Sequence, residues 1–328
     1  MLTDKLGRSI NYLRLAIVDR CNLRCTYCMP EHGLDWIKQK DLLTDEELYR
    51  ISKVFTELGV NKIRITGGEP FVRKKCMGLI ANIAGLEGLQ DLSLTTNGLL
   101  TYPYIPQLKA LGIKSVNLSL DTMDKDRFLE ITRRNSFDKV IRTLDALLKH
   151  DIKVKINTVV MEGRNITDII PLIQLAEKNP IDIRFIEEMP FNGSNKEISI
   201  KWDHRQILDH IKAHFPAINK IADPKSSTSY SYQIPGFQGT VGIIAAYTRS
   251  FCGDCNRIRV TPNGVLRTCL YSESGINLKD QMRSGKNDDE LKNSIIDAVQ
   301  NKPKDGWTAQ ELNQSATTNM RSMATIGG

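Results

Sequence analysis

Polar and apolar residues alternate with a period of two along six short segments, and stretches with helical spacing lie between them. The segments cover residues 12–18, 62–66, 92–96, 115–121, 153–159 and 181–186. Helices are expected from Thr44 to about Leu58 and over 105–111, 137–150, 166–178 and 205–214. Strands separated by helices of crossover length predict βαβ units in a parallel sheet. Thr44-Asp45-Glu46-Glu47 has the form of a capping box, in which Thr44 accepts a backbone N–H and Glu47 reaches back to the cap.

The alternation gathers an unusual set of side chains on one face. Lys62, Arg64 and Thr66 share a side of their strand, with Ile63 and Ile65 on the other. Arg14 opposes Leu13 and Leu15; Thr95 opposes Leu94; Asn117, Ser119 and Asp121 oppose Val116, Leu118 and Leu120. Lys153, Lys155 and Asn157 oppose Val154 and Ile156, and Arg184 opposes Ile183 and Phe185. With helices against the apolar face, the polar face must line something wet or liganded. An α/β fold follows, an incomplete TIM-like barrel of about six βα units with a cationic lumen. For any single lysine a half-exposed sheet reads equally well, but cations on four of the strands favour a lumen.

After residue 215 the pattern changes. Short strands are expected at 229–232, 241–247 and 257–261, and Pro262-Asn263-Gly264 is a tight turn into 265–270. A helix is expected at 288–300, followed by a tail closing on Gly327-Gly328. The expected division is a partial barrel over 1–215 and a smaller region over 216–328.

Composition excludes several classes. The chain has 328 residues, 41% hydrophobic and 25% charged, as in ordinary globular proteins. No apolar run is long enough to span a bilayer, and the first residues lack the apolar core of a secretory signal, so a cytoplasmic protein with reduced thiols is expected. The formal net charge of +7 comes without a long basic block. That distribution suits an anionic small substrate better than nucleic acid or a membrane surface.

Six of the seven cysteines form two groups of three: Cys21, Cys25 and Cys28, then Cys252, Cys255 and Cys269. Disulfides require pairs and a closed zinc site requires four ligands, whereas three thiolates suit a four-iron cluster with one open iron. The first group follows the first strand at its C-terminal end, where barrel sites sit. Gly67-Gly68-Glu69-Pro70 ends the second strand; its glycines allow close backbone approach and its carboxylate could receive an ammonium. A zinc site remains the alternative for the second group, since C-x2-C with a later ligand is common. Cys76 reads as a small thiol at a helix start, and His204, His210 and His214 as helix surface.

The run Asp19-Arg20-Cys21-Asn22-Leu23-Arg24-Cys25-Thr26-Tyr27-Cys28-Met29-Pro30 resembles the signature of the radical S-adenosylmethionine (SAM) enzymes. Beside it, the Gly-Gly-Glu-Pro turn resembles the motif that holds the methionyl amine of SAM in that superfamily. Phe251-Cys252-Gly253-Asp254-Cys255-Asn256-Arg257-Ile258-Arg259, Cys269 and the terminal Gly-Gly resemble the GTP 3′,8-cyclases of molybdenum cofactor biosynthesis (the MoaA family), over about Leu13 to Gly328.

The resemblance implies two 4Fe-4S clusters with three cysteines each. At the first, SAM is cleaved to a 5′-deoxyadenosyl radical that removes the ribose 3′ hydrogen of GTP. The carbon radical adds to guanine C8, giving 3′,8-cyclo-7,8-dihydroguanosine triphosphate, while the second cluster binds the guanine. Carried over, Tyr27, Gly68, Glu69, Ser119 and Met189 are implied SAM contacts. Arg14, Arg64, Thr95, Lys155, Arg257, Ile258 and Arg259 are implied GTP contacts, with Lys62 and Arg184 near the phosphates and Arg321 of the tail assisting the reaction. Also implied are a flavodoxin- or ferredoxin-type reductant, a homodimer, and transfer of product to cyclic pyranopterin monophosphate synthase.

Two other readings stand beside this one. A peptide-modifying radical SAM enzyme with an auxiliary cluster usually brings more cysteines. A zinc-stabilised basic module binding nucleic acid predicts basic and aromatic residues exposed together. Aromatics are only 6% here and the cations fall inside strands.

Overall fold

The protein was described from a computed structural model covering residues 1–191, 200–273, 275–312 and 322–327. The strands are β1 (Tyr12–Ala16), β2 (Lys62–Thr66), β3 (Asp91–Thr96), β4 (Ser115–Ser119), β5 (Lys153–Val160) and β6 (Asp182–Glu187), followed by β7 (Asn219–Lys220), β8 (Ser229–Gln233) and β9 (Thr240–Ile244). The last three are β10 (Arg257–Val260), β11 (Val265–Arg267) and β12 (Ile276–Asn277). They form one 12-stranded sheet in the order β12-β11-β10-β1-β2-β3-β4-β5-β6-β9-β8-β7.

All neighbours from β10 through β1 to β6 and on to β9 are parallel. The α/β expectation holds, and the parallel run is longer than six strands. Strands β9 and β10, from the C-terminal third of the chain, extend the sheet at opposite edges. Beyond them, β8, β7, β11 and β12 add antiparallel rims.

The expected helices form, with the one at 166–178 beginning as a 3-10 turn before Ile169–Lys178. The capping box closes helix Asp45–Glu57: Glu47 N donates to Thr44 Oγ1 at 3.2 Å and Thr44 N to Glu47 Oε2 at 2.8 Å. The helix Cys76–Ala84, of which only the start was expected, and the helix Lys125–Thr132, which was not expected, complete this part of the chain. Ladder pairing ends earlier than expected in β1 and β4, where the chain turns into loops carrying polar residues toward the site.

The two faces of the sheet separate as alternation requires. Leu13, Leu15, Ile63, Ile65, Leu94, Val116, Leu118, Val154, Ile156, Ile183 and Phe185 are fully buried in the core beneath the helices. The opposite face puts cations in register: Arg14 on β1 pairs with Arg259 on β10 and with Arg64 on β2. Three guanidinium side chains on adjacent strands therefore start about 4.8 Å apart. Among the described residues, no helix is long and apolar enough to cross a membrane.

Candidate active site

The polar face encloses a cavity of about 320 Å³. Its wall takes Arg14 from β1, Arg64 from β2, Thr95 from β3, Asn117 and Ser119 from β4, Asn157 from β5, Arg184 from β6, and Arg257, Ile258 and Arg259 from β10. Both cysteine groups open onto this one cavity.

The first group sits on a loop held from outside. Arg24 N and Thr26 N donate to the carbonyls of Thr132 and Ile131 at 3.0 and 2.9 Å, and Arg133 Nη1 to those of Arg24 and Met29 at 3.2 and 3.0 Å. On its inner side Gly68 N donates to Val18 O at 2.8 Å and Glu69 N to Arg20 O at 2.9 Å. A Cβ at Gly68 would lie 2.3 Å from Arg20 O. The close approach expected of this glycine is thus to the cysteine loop's own backbone. Burial pushes the Cys21 thiol up to about 12, with Glu69 adding to the effect, and burial followed by Asp121 raises Cys25. Tyr27 lines the cavity and donates its hydroxyl to Asp121 Oδ2 at 2.9 Å; Met189 also lines it.

Glu69 differs from expectation. It is fully buried behind the wall, where its carboxylate accepts from Asn97 N at 2.7 Å, Phe71 N at 3.2 Å and Thr96 Oγ1 at 2.9 Å. Burial raises it to about 7 despite these donors. Its visible work is to fix the turn after β3, from which Asn97 Nδ2 reaches Asn22 Oδ1 at 2.8 Å and Cys21 Sγ at 3.6 Å.

The second group lies in cationic surroundings. Arg8 Nη1 donates to the carbonyls of Cys252 and Lys304 at 3.1 and 2.7 Å, and Lys302 Nζ to the carbonyl of Arg257 at 3.1 Å and that of Thr268. Burial alone would raise the Cys255 thiol, but Lys302, Arg257 and hydrogen bonds from Arg257 bring it down to about 7. Cys252 differs, since burial raises its thiol. Among the described residues, no three His, Cys, Asp or Glu side chains stand together as a site for a single ion.

Among the described residues, Arg14, Arg64, Arg257 and Arg259 have no carboxylate within ion-pair distance. Burial brings Arg14 down to about 10, with Arg64 and Arg257 adding to the effect against Tyr12, and burial then Arg14 bring Arg259 to about 9. Arg14 and Arg259 remain charged at neutral pH; burial is the main cost of that charge and neighbouring guanidiniums add to it, and a bound polyanion would relieve both. Arg14 Nε, Thr95 Oγ1, Asn117 Oδ1, Asn157 Oδ1 and Arg257 Nη2 are buried without a hydrogen-bond partner among the described residues. Unpaired buried polar atoms are costly, and here they share one cavity.

Lys62, expected near the phosphates, and Lys155, expected to contact GTP, do not line the cavity, whereas Arg184, the other expected phosphate neighbour, does. Lys62 is not brought to the cavity: it pairs with Asp91 at 2.6 Å and lies over the Tyr12 ring. Lys155 shares the face of Asn157 on β5, and burial followed by Arg184 lowers it to about 8. Cys76 is buried at the start of its helix, apart from both groups. Arg321 lies outside the described residues.

Two contributors escaped sequence reasoning, and a third, the tail, was expected only through the family resemblance. Arg249 lines the cavity with its guanidinium between the rings of Tyr271 and Trp307, 3.5 and 3.8 Å from their centroids. Lys302 sits in no motif. The tail segment 322–327 closes the wall: Ser322 Oγ donates to Cys28 O at 2.5 Å, and Met323 and Ala324 line the cavity. The terminal Gly-Gly was the only signal for it.

A parallel α/β sheet with a cysteine triad after its first strand, backed by the glycine turn after its second, defines the radical SAM class of enzymes; residues 15–176 match the Radical SAM superfamily model. Residues 181–307 match the model Molybdenum Cofactor Synthesis C. The chain is 42% identical to the GTP 3′,8-cyclase of Clostridium perfringens (strain SM101 / Type A), over 100% of both chains. It is 41% identical to Molybdenum cofactor biosynthesis protein 1 of Mus musculus over 91% of this chain, and spans about half (47%) of that longer protein. The chain belongs to the GTP 3′,8-cyclase family of molybdenum cofactor biosynthesis. Among solved structures, Streptococcus suis SuiB matches with a TM-score of 0.67 at 15% identity, over 95% of this chain and 69% of that one, a likeness of fold alone.

Proposed function

We propose that this chain converts GTP into 3′,8-cyclo-7,8-dihydroguanosine 5′-triphosphate, the first step of molybdenum cofactor biosynthesis. The observation that carries the reading is the in-register row Arg259, Arg14 and Arg64, facing a cavity whose buried polar atoms lack partners between two cysteine triads. A triphosphate would meet that charge, and the amide and hydroxyl atoms would meet sugar and base.

The residues fit the cofactors of the class. Cys21, Cys25 and Cys28 would hold one 4Fe-4S cluster with SAM beside Tyr27, Gly68, Ser119 and Met189, and Cys252, Cys255 and Cys269 a second. Cluster-bound SAM supplies one-electron chemistry that yields a hydrogen-abstracting radical. The chain's own part is positional. Arg257 and Arg259 point from β10 into the cavity between the second triad and β1, so one ligand can touch both the cations and that triad. Met323 and Ala324 of the tail join the sheet in walling the cavity, where shielding the reacting centre from water would protect a radical. Three thiols per group suit a cluster in which each of three irons takes one thiolate better than tetrahedral zinc, which requires a fourth ligand.

In this reading the sheet curves as a partial barrel, residues 1–215 make the radical, and residues 216–328 seat the base. A flavodoxin- or ferredoxin-type protein supplies the electron, the chain acts as a cytoplasmic homodimer, and cyclic pyranopterin monophosphate synthase takes the product. The test is anaerobic incubation of the clustered protein with GTP, SAM and a strong reductant. Consumption of GTP with release of 5′-deoxyadenosine is expected; a fully clustered preparation that forms no GTP-dependent product overturns the reading.

A further inference from the structure

Lys302 is 7% exposed, two residues beyond the helix Asp288–Gln300. Its ammonium donates to the carbonyl of Arg257 at 3.1 Å and to that of Thr268. Arg257 follows Cys255 by two residues, and Thr268 immediately precedes Cys269. One side chain therefore ties the strand leaving Cys252 and Cys255 to the turn that carries the third cysteine.

Its charge is handled unlike that of its neighbour. Arg8 also supports this region, through the carbonyls of Cys252, Pro303 and Lys304, and has the Asp4 carboxylate at 2.6 Å. Among the described residues no carboxylate lies within ion-pair distance of Lys302. A buried ammonium satisfied only by neutral carbonyls is costly. The two carbonyls it bonds belong to the residue two after Cys255 and the residue just before Cys269, so the anion placed to meet its charge is the second triad once ionised.

We propose that Lys302 is a positioning residue for the second triad and its buried counter-ion, holding Cys255 and Cys269 at the spacing three thiolates need and offsetting their charge. The proposal rests on the reading that this triad holds a cluster. Removing a nearby positive charge disfavours the added electron, so the cluster's reduction potential falls.

The test uses the full chain and a Cys21→Ala, Cys25→Ala, Cys28→Ala background in which only the second triad can hold iron. In each, Lys302→Met, Lys302→Gln and Lys302→Arg are reconstituted anaerobically, and iron content and the midpoint of the second cluster by EPR-monitored titration are read. Lys302→Met is expected to lower full-chain iron from about eight to about four per chain. Lys302→Gln, which keeps a donor without the charge, is expected to keep iron at a lower midpoint, and Lys302→Arg to match the unsubstituted chain in both. Full iron with an unchanged midpoint in the Met or Gln variant overturns the proposal, as does equal loss of iron from both triads. An unsubstituted chain that takes up only about four irons, all in the first triad, overturns the two-cluster reading itself.

Discussion

Arg259 donates from Nη1 to the carbonyl oxygen of Gly327 at 3.0 Å, joining strand β10 to the last described residue of the chain. The same short tail touches the first cysteine loop through Ser322 and the 191 region through Met323 N, which donates to Phe191 O at 3.1 Å. A cation expected to meet substrate is thus also the anchor of the segment that closes the cavity.

Gly327→Ala tests that anchor. Gly327 has φ +90°, and a Cβ there would lie 2.6 Å from Ala16 Cβ. A left-handed alanine costs about 1–2 kcal/mol before the clash is counted. Segment 322–327 is held through Ser322, Met323 and Gly327, so its release is easier than distortion of the sheet. Turnover of GTP is expected to fall about tenfold or more, with the thermal midpoint little changed; unchanged turnover would remove the tail from the reaction.

Gly68→Ala drives a Cβ into the backbone at Arg20, where no flexible side chain can give way. A cost of about 1–3 kcal/mol follows, borne by the cysteine loop. Iron analysis should show loss from the first triad and retention in the second.

Lys155 connects stability to pH. Its folded value of about 8 lies below the ordinary 10.5, so its protonated form destabilises the fold below about pH 8, and the penalty fades as pH rises toward 10.5. Lys155→Met is therefore expected to stabilise the ligand-free chain near neutral pH, on the order of 1–3 kcal/mol, with the gain vanishing by about pH 10. The same variant should bind GTP more weakly, since the cation beside Arg184 is gone. Melting curves across pH and equilibrium binding of GTP check both parts.

Lys62→Ala separates geometry from family resemblance. Its partner Asp91 is half-exposed and the pair lies off the cavity, so a stability change within about 1 kcal/mol is expected, with GTP affinity unchanged. A marked loss of affinity would show that Lys62 turns inward when substrate binds.

The polar face was legible in the sequence because strand alternation is local. Arg14, Arg64, Thr95, Arg184, Arg257 and Arg259 all reach the cavity as their parity required. Parity gives the side of a strand but not the depth along it. Lys62 and Arg64 share a face, yet one meets a carboxylate near the strand start and the other lies buried near its middle, donating to Ser93 Oγ at 3.2 Å. Glu69 shows the same limit: its motif marked the turn, but only packing decided that its oxygens would be consumed by Thr96 and Asn97.

Sequence alone determined the parallel α/β class, the two cysteine triads and the cationic face, because spacing and alternation are properties of neighbouring residues. It marked a change of pattern near residue 215, but the placement of β9 and β10 at opposite edges of the first six strands was decided by pairing between residues far apart in the chain. That pairing puts Arg259 beside Arg14 and brings both triads to one cavity. The tie that Lys302 makes between the carbonyls of Arg257 and Thr268 is likewise tertiary. Charge acts through space, and only the folded sheet sets those distances.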